Sequence, residues 1–236
     1  MFKSKFIVAA AAALIGVEAQ GSIVFQSVSD TQVINYNEVF DGANLSATVQ
    51  YTLTALGGTR GPNTATFHIV ATNNTTVGQP GTNRMTSFGV GNLTPSLTSI
   101  DSTLGNWMAT FGATFPGFGP VGLCVFTGLT CGGSSGGLVE GGDSITFDVA
   151  VHLSQIPSPG GITFDSPFII EFQDAGTNGT SVGFAGCAAS DANCQGTTPQ
   201  NIPEPGSLAL VSIAMLGSIA ARRRPGGPDR FGLLAQ

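Results

Sequence analysis

The chain reads as an all-β protein built around an antiparallel β-sandwich, and three observations predict this. Apolar and polar residues alternate at the two-residue period of a strand in several runs between Gln20 and Asn201. Clusters of Gly, Pro and Asn, such as "LGGTRGPN", "VGQPGTN" and "PSPGG", punctuate the gaps between those runs. No stretch of this region shows a convincing 3.6-residue apolar period. The nearest, "TPSLTSIDSTLGNWMATFG", is interrupted by Pro, Gly and threonines. Short alternating strands with turn-rich links belong to sandwiches and barrels, and the sandwich is the expectation taken forward.

Each strand is justified by its own pattern. Ile23 to Val28 and Val33 to Phe40 read as two shorter strands. In "ATVQYTLTAL", Ala47, Val49, Tyr51, Leu53 and Ala55 fall on one face, with Thr48, Gln50, Thr52 and Thr54 on the other. "ATFHIVATN" around Phe67 gives a further strand. "SITFDVAVHL" turns Ile145, Phe147, Val149, Val151 and Leu153 inward and Thr146, Asp148 and His152 outward. "SPFIIEFQDAG" around Phe172 gives another. "AASDANCQGTTPQN" reads as a turn-rich exit. A Gly-rich, charge-poor chain invites comparison with disorder, but 42% hydrophobic residues with 16 phenylalanines are enough to fill a core.

The N-terminal segment is of a different kind. Lys3 and Lys5 precede an apolar run from Phe6 to Val17, and Val17-Glu18-Ala19 offers a cleavage site after Ala19. That is the pattern of a secretory signal peptide over residues 1–19, and the run is short for a permanent span. The domain then extends over residues 20–201, long enough for one well-cored unit. Its eleven acidic residues face only Arg60 and Arg84, a formal charge of −9. Phosphate backbones are bound by Lys and Arg, so nucleic acid is excluded as a partner.

Cys124 and Cys131 are separated by six residues, and so are Cys187 and Cys194. In an exported chain four cysteines suggest two disulfides, and the equal short spacings favour the local pairs Cys124–Cys131 and Cys187–Cys194. Zinc is the weaker reading, because its usual ligand pairs lie two to four residues apart. Free thiols are the third alternative.

Little else in the domain carries chemistry. Gly132-Gly133-Ser134-Ser135-Gly136 matches G-x-S-x-G formally. The nucleophile elbow, however, needs a strand feeding a helix, and "GLVEGGDS" cannot open one. His68 and His152 fall on strand faces, away from any such elbow. No two carboxylates stand out as a glycosidase pair. Glu140, Asp143 and Asp174 lie near loops where calcium binds in other proteins, but no D-x-D-x-D-G loop holds them, so no metal and no cofactor is expected. The five N-x-S/T triplets, at Asn44, Asn73, Asn74, Asn92 and Asn178, are what chance supplies in this composition. Trp107 reads as core or a buried loop.

The C-terminal part has a defined order: Pro203-Glu204-Pro205, an apolar stretch from Leu208 to Ala221, then Arg222-Arg223-Arg224. Fourteen helical residues span about 21 Å, short of a hydrocarbon core near 30 Å. The arginines would hold their end cytoplasmic. Residues 202–225 resemble the PEP-CTERM sorting signal of Gram-negative bacteria. The resemblance implies export through the Sec translocon, a transient stay in the inner membrane on a short transmembrane helix, and cutting near Pro-Glu-Pro by an exosortase. The sequence departs from the family's usual pattern by continuing over residues 226–236.

A second resemblance covers the later half of the domain. "LCVFTGLTCGGSSGGLVEGGDSITFDVAV", "FIIEFQDAG" and "GTSVGFAGC" are similar to the cistern family of PEP-CTERM proteins. The positions that match are Cys124, Cys131, Gly132, Gly133, Gly136, Gly137, Leu138, Phe172 and Gln173. The resemblance implies a recurring secreted domain without enzymatic activity. The expected role is therefore structural or interactive, at the cell surface or in an extracellular polysaccharide matrix. A glycan-binding or adhesin-like module is the alternative, and a secreted hydrolase the remote one.

Overall fold

The computed structural model describes residues 21–57, 61–102, 105–134, 136–157 and 160–191. The predicted signal peptide with Ala19, the partner cysteine Cys194, the sorting segment 202–225 and the extension 226–236 lie outside the described residues. Thirteen strands make up the regular structure: β1 Ile23–Phe25, β2 Thr31–Phe40, β3 Ala43–Leu56, β4 Thr64–Asn73, β5 Gly81–Thr94, β6 Leu97–Ser102 and β7 Trp107–Thr110. They continue with β8 Ala113–Phe115, β9 Gly119–Val121, β10 Leu123–Thr127, β11 Ser144–Leu153, β12 Ile162–Ala175 and β13 Thr180–Ala188. Among the described residues no helix is long and apolar enough to cross a membrane.

All pairings are antiparallel, and the strands form two facing layers. The front layer runs β6-β11-β4-β3-β2 and the back layer β13-β12-β5-β10-β7. They share one seam, where the end of β13 pairs with β2 through Cys187 opposite Asn35 and Ala188 opposite Ile34. Early in its course β12 pairs with β1, and β13 takes over from Phe168.

Alternation explains which layer face is buried. Along β3 the residues Ala47, Val49, Tyr51 and Leu53 are buried as their period predicts, and along β11 Phe147, Val149, Val151 and Leu153 are too. The layers meet through aromatic rings. Phe164 of β12 touches Tyr51 of β3 at 5.4 Å and Phe67 of β4 at 5.0 Å, and Phe25 of β1 closes the group. Farther along, Phe88 of β5 reaches Phe147 of β11 and Trp107 of β7. Rings of this size contribute more buried apolar area than any other side chain, so this seam of phenylalanines holds the sandwich together.

The back layer is buried on its outer face as well. There β8 and β9 form a small hairpin, and Phe115, Val121, Cys124, Phe126, Cys131 and Ile169 make a second apolar cluster. The strand β5, central to this layer, was not evident from alternation, because its outer face carries Ser87, Gly89 and Gly91. Glycine is required at these last two positions by close approach. A Cβ on Gly89 would lie 2.9 Å from the Leu123 carbonyl, and one on Gly91 would lie 2.5 Å from that of Ser166. Likewise "TPSLTSIDSTLGNWMATFG" forms β6 and β7, and β13 extends to Ala188, the first residue of the predicted exit.

Candidate functional site

The most unusual chemistry among the described residues sits on the outer face of the back layer. In β12, Phe168, Ile170 and Phe172 point into the main core, so Ile169 and Glu171 point outward. Outward does not mean exposed here, since Glu171 is 6% accessible. Its neighbour across β5 is Ser87, and across β13 it is Gly183. The β8–β9 hairpin brings Phe118 over Gly183 and Phe115 over Gly89, occupying the space that side chains there would need.

A glycine-rich strap, residues 128–134 and 136–138, completes the cover. It leaves β10 after Thr127 and is tied at its start by the Cys124–Cys131 disulfide, with Cα atoms 6.0 Å apart. A Cβ on Gly132 would lie 3.3 Å from Glu171 Oε2. Gln173 Nε2 donates to the Gly132 carbonyl at 3.2 Å, and Thr127 Oγ1 donates to the Ser134 carbonyl at 3.0 Å. The strap then takes the place of β10 beside β5, where Met85 and Leu138 exchange two 2.9 Å backbone bonds. Gly133 and Gly137 lie so close to β5 that a Cβ at either would fall within 2.5 Å of Thr86 Oγ1 or 2.2 Å of the Met85 carbonyl. Only residues without side chains allow this contact.

Beneath the strap, Glu171 Oε2 and Ser87 Oγ are buried with no hydrogen-bond partner among the described residues. Burial pushes the Glu171 carboxyl from its ordinary value of 4.5 up to about 8, so it is mainly the neutral acid at pH 7. In the sequence Glu171 is one of the domain's eleven acids. The signal was its position as the one charged residue inside the apolar run "PFIIEFQ".

The other predicted residues are placed as follows. Cys187 is disulfide-bonded, and its predicted partner Cys194 lies outside the described residues. Ser134 belongs to the strap on the back layer. His68 and His152 lie on the outer face of the front layer, pointing away from it, so the fold does not bring Ser134 to either histidine. His68 Nδ1 meets Asp148 at 2.8 Å and His152 Nε2 meets Asp101 at 3.1 Å, each across a strand pair or its neighbour.

The calcium candidates are engaged by backbone and side-chain donors. Glu140 accepts from Gly78 N and Asn83 Nδ2, and Asp143 from Val139 N and Ser144 N. Asp174 accepts from Thr82 Oγ1. Among the described residues no three His, Cys, Asp or Glu side chains gather where a metal would be held. Of the N-x-S/T asparagines, Asn73 is fully buried: its Nδ2 donates to the Asn83 and Leu138 carbonyls and its Oδ1 accepts from Thr75 N.

The predicted sorting residues Pro203, Glu204, Pro205, Arg222, Arg223 and Arg224 lie outside the described residues, and here comparison with known families is decisive. No curated protein and no solved structure matches the chain. Residues 201–224 match the family described as the PEP-CTERM protein-sorting motif. The chain thus carries, at residues 201–224, the motif that marks an exported substrate for an exosortase.

Proposed function

We propose that this is a non-enzymatic exported protein, delivered by exosortase processing to the cell surface or the extracellular polysaccharide matrix. Its β-sandwich acts there as a structural or interaction element. The observation that carries this reading is the sorting motif at residues 201–224. A signal peptide at residues 1–19 and passage through the Sec translocon belong to the same route, as does transient residence in the inner membrane.

The character of the domain supports a structural role. The front layer's outer face carries a polar row, with Thr31, Thr52, His68 and Asp148 as cross-strand neighbours. Trp107, the residue best suited to stacking on a sugar, is buried in the main core. The similarity of the strap region to the cistern family supports the same reading.

The test is location. An epitope inserted between Ser158 and Pro159 would be followed by protease accessibility on intact cells, with and without the exosortase. The expected result is accessible protein in the first case and protected, membrane-associated protein in the second. Protein that remains in the cytoplasm in both would overturn the proposal.

A further inference from the structure

We propose that Glu171 is a pH-operated latch for the strap, holding it closed while the carboxyl is neutral and releasing it when the carboxyl ionises. The geometry makes these alternatives exclusive. Closed, the strap leaves Glu171 Oε2 buried and without a hydrogen-bond partner among the described residues. A neutral carboxyl tolerates that site at modest cost, whereas an unpaired carboxylate does not.

Among the described residues no cation is positioned to relieve it. From β5 it faces Ser87, from β13 Gly183, from the strap Gly132, and Pro116 packs on Gly132 from the β8–β9 turn. The charged groups in the neighbouring rows are Arg84, opposite Gln173, and Asp174. Both are engaged with Thr82 Oγ1, at 3.3 Å and 2.5 Å. An ionised Glu171 therefore gains its solvation from water, and the side open to water is the strap.

The strap is also the part that can move. It carries no side chain into the sheet at Gly132, Gly133 or Gly137, so lifting it breaks few apolar contacts. The bonds that would open are Gln173 Nε2 to the Gly132 carbonyl and Thr127 Oγ1 to the Ser134 carbonyl. The disulfide keeps the lifted segment attached at Cys131, and Leu138 anchors its other end in the main core. Opening thus uncovers Ser87, Glu171 and the edge of the outer apolar cluster without unfolding the sandwich.

Linkage fixes the size of the effect. The carboxyl titrates at its ordinary value when open and well above it when closed. Between the two, opening becomes about tenfold easier per pH unit, and it levels off once the closed form also ionises. The test is amide hydrogen exchange of the full chain from pH 5 to 9, read at Gly132 and Gly133 with β3 and β4 as internal reference. Exchange at the strap should rise about a hundredfold per pH unit below the plateau, ten from base catalysis and ten from opening. In Glu171→Gln it should rise only tenfold, as in the reference strands. Strap amides that exchange no faster than those of β3 and β4 open only with the whole fold and overturn the proposal, and so does a tenfold slope in the native protein or an unchanged hundredfold slope in the variant. Should the variant fail to fold, ¹³C NMR of the glutamate carboxyls in the native chain decides. The chain has five glutamates, and a carboxyl that titrates together with the strap amides is required.

Discussion

Glu171 of β12 stands directly opposite Ser87 of β5, and among the described residues neither Glu171 Oε2 nor Ser87 Oγ has a hydrogen-bond partner. Two orphaned polar atoms facing each other beneath a disulfide-tied strap are costly to stability, and the cost depends on pH.

Between pH 4.5 and about 8 the folded chain keeps the Glu171 proton that the unfolded chain has lost. Folded protein then binds more protons than unfolded, so stability falls as pH rises through this window. Glu38, whose carboxyl burial also raises, acts in the same direction. Urea denaturation of Glu171→Gln should show a shallower pH dependence and a gain of about 2–4 kcal/mol over the native protein at pH 8. At pH 4 the two proteins should be nearly equal.

The Cys124–Cys131 bridge closes a short loop and stabilises mainly by restricting the unfolded chain. Replacing both cysteines by serine should cost about 2–3 kcal/mol in the chain-entropy estimate, measured by the shift of the urea midpoint. The native protein under a strong reductant should move toward the same midpoint.

Asn73 joins three segments at one end of the sandwich: its own strand, the start of β5 and the residue Leu138. Asn73→Ala leaves two carbonyls and one N–H without their partner in a buried place. A loss of about 2–4 kcal/mol is expected in thermal or urea unfolding, against less than about 0.5 kcal/mol for Asn92→Ala at an exposed position.

Gly186 lies against the ring of Tyr36, and a Cβ there would come within 2.5 Å of Cδ1 and 2.6 Å of the Asn35 carbonyl. Gly186→Ala should therefore destabilise by about 1–3 kcal/mol despite the better strand propensity of alanine. Gly78→Ala provides the contrast: no atom lies within 4 Å of its added Cβ, although its φ of +89° carries a conformational cost.

Where apolar and polar residues alternate against solvent, the fold was legible in the sequence. Tyr51 and Val149 were assigned inward because Thr52 and Asp148 beside them face water, and the structure agrees. The back layer resisted the same reading. With both faces covered, β10 is buried throughout as "LCVFT", and β5 places glycines where the outer hairpin and Ser166 press close. Alternation vanishes when there is no wet face to produce it. Glu171 was missed for a related reason: its partners are defined by a strap that folds back from a different part of the chain. The sorting motif depends on local order alone, and it was readable without any fold.

The central claim is that an exosortase processes this chain at its PEP-CTERM motif. Mass spectrometry of the mature C-terminus, from cells with and without the exosortase, tests it most directly. The account predicts an end near Pro203-Glu204-Pro205 when the enzyme is present and retention of Arg222 to Arg224 when it is absent. Intact protein ending at Gln236 in both strains would contradict it.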